Sequence, residues 1–144
     1  MTKHSHSKLV LFTGAGFLFL WLDLSLGHVG AGLKHPGMWL PLIFLPCAVV
    51  VSLLTARCAT PVHQRLFRIV CQAAIVIDLL GFGFHLARLA KELKGAIQWE
   101  VLQRFMRYPP LFAPLAVSGL GILGLLVQCS HDSHADREMS RDPR

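Results

Sequence analysis

Three ionisable residues sit where ionisable residues are expensive, and two more lie beside them in sequence. Asp23 falls inside the apolar run of residues 9–27, Asp78 and His85 fall inside another at 66–89, and His28 and His35 bound a Gly-rich connection. A charged side chain at the centre of a bilayer costs about 2.5–3.5 kcal/mol on insertion scales, so such groups usually face a partner or a cavity. Asp78 and His85 are seven residues apart, which puts them on one helical face and about 10 Å apart along the axis.

Three chemistries suit this set. Imidazole binds copper, zinc or iron, with carboxylate as a further ligand, so His28, His35, His85 and Asp23 are candidate metal ligands. Asp78 then reads as an outer carboxylate that fixes a histidine tautomer, or as a step in a proton relay. Two histidines on different helices at one height also suit axial haem ligation. Each residue has a plainer reading. A lone intramembrane Asp caps a helix or bonds a neighbour, as Asp23 could with Ser25, and a lone buried His is commonly structural. The His28-x6-His35 spacing matches no standard metal signature.

The elements that would position these groups follow from hydropathy. The chain has 144 residues, is 53% hydrophobic and 15% charged, and has a mean hydropathy of +0.53. A typical soluble domain is about a quarter charged. Four apolar runs at 9–27, 38–56, 66–89 and 111–129 each approach the ~20 helical residues that a ~30 Å hydrocarbon core requires. The expected fold class is therefore all-α: an integral membrane four-helix bundle. The expected layout is a polar N-terminal tail at 1–8, a transmembrane domain at 9–129 and a disordered polar C-terminal tail at 130–144. Pro41 and Pro46 in the second run are tolerable if neighbours take up the freed carbonyls. Lys3 and Lys8 precede the first run as in a signal peptide. At about 18 residues, though, that run exceeds a signal core, and no A-x-A site follows, so an uncleaved anchor is expected.

Between the third and fourth runs, Ile97, Val101, Leu102, Phe105 and Met106 recur at helical spacing with Gln and charged residues between them. With Trp99 and Tyr108, this predicts a short interfacial amphipathic helix over 96–108, too short and too charged to span. In a four-span topology it shares a membrane face with His28, His35 and His85.

Gly119, Gly121 and Gly124 spell G-x-G-x-x-G, but in the middle of an apolar run rather than after a strand, so dinucleotide binding is excluded. Small residues in membrane helices let backbones approach closely. Gly14, Gly16, Gly81 and Gly83 join these three as expected packing positions.

The formal charge of +6 lies outside the runs, where it sets topology and meets headgroups, which argues against nucleic-acid binding. Eight Lys and Arg fall on the side of the two tails and six on the other, favouring cytoplasmic tails in a bacterial inner membrane. Cys47, Cys58, Cys71 and Cys129 form no C-x-x-C pair and read as small hydrophobes. His4, His6, His131 and His134 read as solvated tail residues.

The expected function is a small subunit of a larger membrane assembly, in contact with lipid and with other membrane subunits or copies of itself. It would have no catalytic activity of its own, and its His/Asp cluster would take a transition metal or haem. The alternative is an oligomeric carrier or channel for a metal ion or protons. A stand-alone haem oxidoreductase is a third reading. A hydrolase lacks an identifiable nucleophile.

Overall fold

The computed structural model describes residues 3–30, 39–92 and 115–141, and all of them except the short 58–60 turn are helical. The four helices are α1 (Lys3–Gly30), α2 (Trp39–Arg57), α3 (Pro61–Glu92) and α4 (Leu115–Arg141). α1 packs against α2 and α4, and α3 packs against the same two, so α1 and α3 stand across from each other.

The helices alternate in direction. One buried cluster joins Val10, Phe67, Cys71 and Val127, with Val51 and Ala56 of α2 packed against it. A second joins Phe17, Leu45, Ala48, Ala74 and Val117. Between the two clusters residue numbers rise along α1 and α3 and fall along α2 and α4.

Each helix buries one narrow stripe at three- and four-residue spacing. The stripes are His6, Val10, Thr13, Phe17 on α1 and Leu45, Ala48, Ser52, Thr55 on α2. On α3 they are Phe67, Cys71, Ala74, Asp78. Such spacing keeps one seam facing a neighbour in nearly aligned helices. The other faces stay apolar: Phe12, Phe19, Leu26, Ile43, Val62 and Phe84 are all more than 60% exposed. A helix apolar on every side belongs in the core of a large protein or in a membrane.

Among the described residues, three helices are long and apolar enough to cross a bilayer: Ser5–Leu26, Trp39–Arg57 and Pro61–Ala87. The fourth expected span is described only in part. The apolar part of α4, Leu115–Ser130, is shorter than the others, and residues 111–114 lie outside the described residues.

The ends also differ from expectation. The expected N-terminal tail is helical from Lys3, and the expected disordered tail from residue 130 continues as helix to Arg141. α3 starts at Pro61, ahead of the expected 66. Its start has a local cause: Thr60 Oγ1 accepts the His63 N–H at 3.3 Å, as an N-cap does, and Pro61 supplies a preset first helical φ. The interfacial helix expected from Ile97, Trp99, Val101, Leu102 and Phe105 lies outside the described residues.

Glycines make the tightest seams. A Cβ on Gly14 would stand 2.8 Å from Ser52 Cβ, and one on Gly16 would stand 2.7 Å from Leu120 Cδ1. On Gly121 it would stand 2.7 Å from the Cys71 carbonyl oxygen, and on Gly124 it would collide with Cys71 Sγ. These contacts join α1 to α2, α1 to α4 and α3 to α4. At Gly81, Gly83 and Gly119 a Cβ would meet nothing within 4 Å, so among the described residues these three seat no other helix.

Candidate functional site

Asp78 is the next residue of the α3 stripe after Ala74 and is 5% exposed. Its Oδ2 accepts the backbone N–H of Ser118 at 2.8 Å. Ser118 lies in the first described turn of α4. The carboxylate thus ties the start of α4 to the middle of α3. The Ser118 hydroxyl donates to the Leu115 carbonyl at 3.1 Å.

His85 continues the same face two turns on, yet it is exposed. Leu115, the first described residue of α4, lies close to the level of Asp78, and residues 111–114 lie outside the described residues. Asp23 is also exposed, on α1 beside exposed Leu22 and Leu26. Ser25 donates instead to the Trp21 carbonyl at 2.6 Å. His28 belongs to α1, its side chain lying outside the described set, and His35 is not described at all.

Height can still be compared on the backbone. Phe17 and Ala74 share a buried cluster. His28 lies eleven residues beyond Phe17 and His85 eleven beyond Ala74, about 16 Å along each helix. Among the described residues, no group of three His, Cys, Asp or Glu is placed to hold a metal ion. Asp78 and Asp23 do not converge on one pocket: one is buried against α4 and the other faces outward.

A second polar cluster lies at the opposite end, where the sequence reading expected a solvated tail. His6 is 2% exposed, and its Nε2 is 3.0 Å from Gln128 Oε1. The Gln128 amide nitrogen donates to the Gln64 carbonyl at 3.1 Å, so one glutamine joins α1, α3 and α4. Ser7 Oγ donates to the Ala56 carbonyl at 2.9 Å, one of the last-turn carbonyls of α2 that lack a helical partner. Thr55 Oγ1 donates toward the carbonyls of Val51 and His63. His63 Nδ1 stands 2.8 Å from the Cys58 carbonyl and 2.9 Å from Thr60 Oγ1. A cleft of ≈ 330 Å³ opens here, lined by His6, Ser7, Thr55, Arg57, Cys58 and Thr60, among others.

The sequence did carry a signal for this cluster. His6, Val10, Thr13 and Phe17 fall at one helical spacing, so a helix continued back through the expected tail must bury His6 with the rest.

The remaining hydroxyls are occupied locally. Thr13, Ser25, Ser52 and Ser133 each donate to the carbonyl four residues earlier. This is how a hydroxyl is satisfied in apolar surroundings without a side-chain partner.

Set against known proteins, the chain matches no family model, no curated protein and no solved structure.

Proposed function

We propose that this chain is a small integral membrane protein that packs as one subunit of a larger membrane assembly, with other chains or with copies of itself. The membrane part is supported by the three long apolar helices, of which only 17–22% of each span is buried within the chain. The assembly part is carried by one observation: among the described residues nothing stands within 4 Å of a Cβ at Gly81, Gly83 or Gly119. Glycine in a helix interior costs about 1 kcal/mol relative to alanine, and no contact among the described residues offsets that. A neighbouring helix seated closely on these positions would. Asp23 on the outward face of α1 supports the same reading, because an outward carboxylate in an apolar band has more to gain from a protein neighbour than from lipid.

The orientation proposed is tails to the cytoplasm of a bacterial inner membrane. Lys8, Arg57, Arg65 and Arg68, all exposed, gather at the end where α1 begins, as cytoplasmic flanks do. The metal, haem and ion-pathway readings draw no support from the described side chains and form no part of this proposal.

The test is mild-detergent purification from native membranes with measurement of complex mass. Wild-type chain is expected in a complex larger than one copy. Gly83→Leu is expected to release it while the isolated chain stays helical. A wild-type chain that runs as a monomer, with no other chain bound, would overturn the assembly reading and leave the membrane reading intact.

A further inference from the structure

The cleft at the α1 start lies where every apolar segment ends. The apolar spans begin at Ser5 on α1 and Pro61 on α3, and end at Arg57 on α2 and Ser130 on α4. The cleft residues His6, Ser7, Arg57, Cys58 and Thr60 fall at three of those boundaries, two on α1 and three around the α2–α3 turn. In a bilayer this is headgroup height. The cleft is therefore an opening between helices at the level where lipid phosphates lie.

Its charge is one-sided. Arg57 lines it, and Lys8, Arg65 and Arg68 are exposed around the same end. The acids whose side chains are described, Asp23 and Asp78, lie far from it: Asp78 is seventeen residues along α3 from Pro61, about 25 Å. The stretch of α4 beyond Ser130 carries Asp132, Asp136 and Glu138 against Arg137 and Arg141, so it adds little net charge. A hydroxyl is present as well, since Thr60 lines the wall, while the Ser7 hydroxyl beside it is already given to the Ala56 carbonyl. Basic pockets between helices on one membrane face are the usual form of a site for anionic lipid headgroups. Arg in particular bonds phosphate oxygens through two parallel N–H groups.

We infer that this cleft binds the phosphodiester headgroup of an anionic phospholipid, with Arg57 as the charged contact and the Thr60 hydroxyl beside it. His6 is a positioning residue. Its bond to Gln128 fixes the first turns of α1 as one wall of the cleft. The site rests on the chain being membrane-embedded. It requires a lipid rather than a soluble phosphate, because the cleft opens at the apolar boundary, where acyl chains can lie along the outward faces of the helices.

The experiment uses the full chain in nanodiscs of phosphatidylcholine, with and without phosphatidylglycerol, released into native mass spectrometry. The wild-type chain is expected to retain phosphatidylglycerol in preference to phosphatidylcholine. Arg57→Gln is expected to lower that retention about fivefold, the effect of one basic group at a membrane surface, while Arg65→Gln lowers it less. Equal retention of the two lipids overturns the inference. So does an equal loss in both variants, which means diffuse surface charge, and so does displacement by millimolar inorganic phosphate, which means a soluble ligand. A second readout needs no substitution. Cys58 lines the cleft and is exposed, as is Cys129. Maleimide labelling of Cys58 relative to Cys129 is expected to slow when phosphatidylglycerol is added, and an unchanged ratio overturns the site. Stable incorporation into phosphatidylcholine discs alone, with no lipid preference, would leave the membrane reading standing and remove only this inference.

Discussion

The indole N–H of Trp21 on α1 donates to the backbone carbonyl of Leu42 on α2 at 3.1 Å. Leu42 stands four residues before Pro46, which lies inside α2 and has no N–H to return to that carbonyl. The tryptophan thus supplies the hydrogen bond that the proline removes. An orphaned carbonyl is costly anywhere that water cannot reach, and most costly in hydrocarbon. Trp21 and Pro46 therefore act as a pair, although they do not bond each other.

The pair makes a prediction with its own control. Trp21→Phe keeps most of the apolar body and removes the donor, so it is expected to lower unfolding stability by about 1–3 kcal/mol. Pro46→Ala restores an N–H to α2 at that point. In the Pro46→Ala background, Trp21→Phe is expected to cost markedly less. Reversible unfolding of the four chains in one detergent measures the coupling, and equal losses in both backgrounds would show that the tryptophan acts by packing alone.

Asp78 offers a similar test. Asp78→Ala leaves the Ser118 N–H without its acceptor and is expected to cost about 1–3 kcal/mol. Asp78→Asn keeps an acceptor oxygen of the same reach and is expected to lose less. Amide exchange at Ser118 separates this tie from a role in ion passage: the exchange rate should rise in Asp78→Ala and stay near wild type in Asp78→Asn. Unchanged exchange in Asp78→Ala would mean that the Ser118 amide has another partner.

What the sequence showed and what it hid divide along physical lines. Helix type, the apolar runs and the need for a neighbour at Pro46 were all legible, because burial in lipid leaves a run of about twenty apolar residues and an unsatisfied carbonyl must be met. Asp78 was legible as a costly group, but its partner was not, since a backbone N–H forty residues away leaves no mark in side-chain types. His85 looked equivalent to Asp78 because both share a helix face. The structure separates them: Asp78 is buried against Ser118, and His85 is exposed. The His6–Gln128 contact was hidden by composition: MTKHSHSK reads as a solvated tail, whereas the helical spacing from His6 through Phe17 places it inside. Of seven glycines on apolar helices, the sequence could not say which face a neighbour. That depends on helix rotation, which Gly121 and Gly119 show by pointing to opposite surroundings two residues apart.

Those two glycines give a third prediction. Alanine at Gly121 would press on the Cys71 carbonyl oxygen, a backbone atom that cannot move aside without shifting α3 from α4. Gly121→Ala is expected to destabilise the isolated chain by about 1–3 kcal/mol. Gly119→Ala meets nothing and gains helix propensity, so it is expected to be neutral or to stabilise by up to about 1 kcal/mol. Thermal unfolding in detergent compares them directly, and a Gly119→Ala chain as unstable as Gly121→Ala would contradict the helix rotation described here.

The last prediction concerns the far end of the molecule. His6 and Gln128 are buried together, and Gln128 also donates to the Gln64 carbonyl, so removing either partner takes a hydrogen bond from a buried polar group. His6→Ala and Gln128→Leu are each expected to cost about 1–3 kcal/mol, while the double variant costs less than their sum, because the second substitution removes the group that the first orphaned. This contact and Ser7 on the Ala56 carbonyl both tie the first turns of α1 to the rest of the chain. Limited proteolysis should accordingly cut His6→Ala between Lys3 and Lys8 faster than wild type, with the remainder of the chain resistant. Strict additivity, together with unchanged cleavage near Lys8, would mean that α1 is anchored by its apolar stripe alone and that the histidine adds nothing to it.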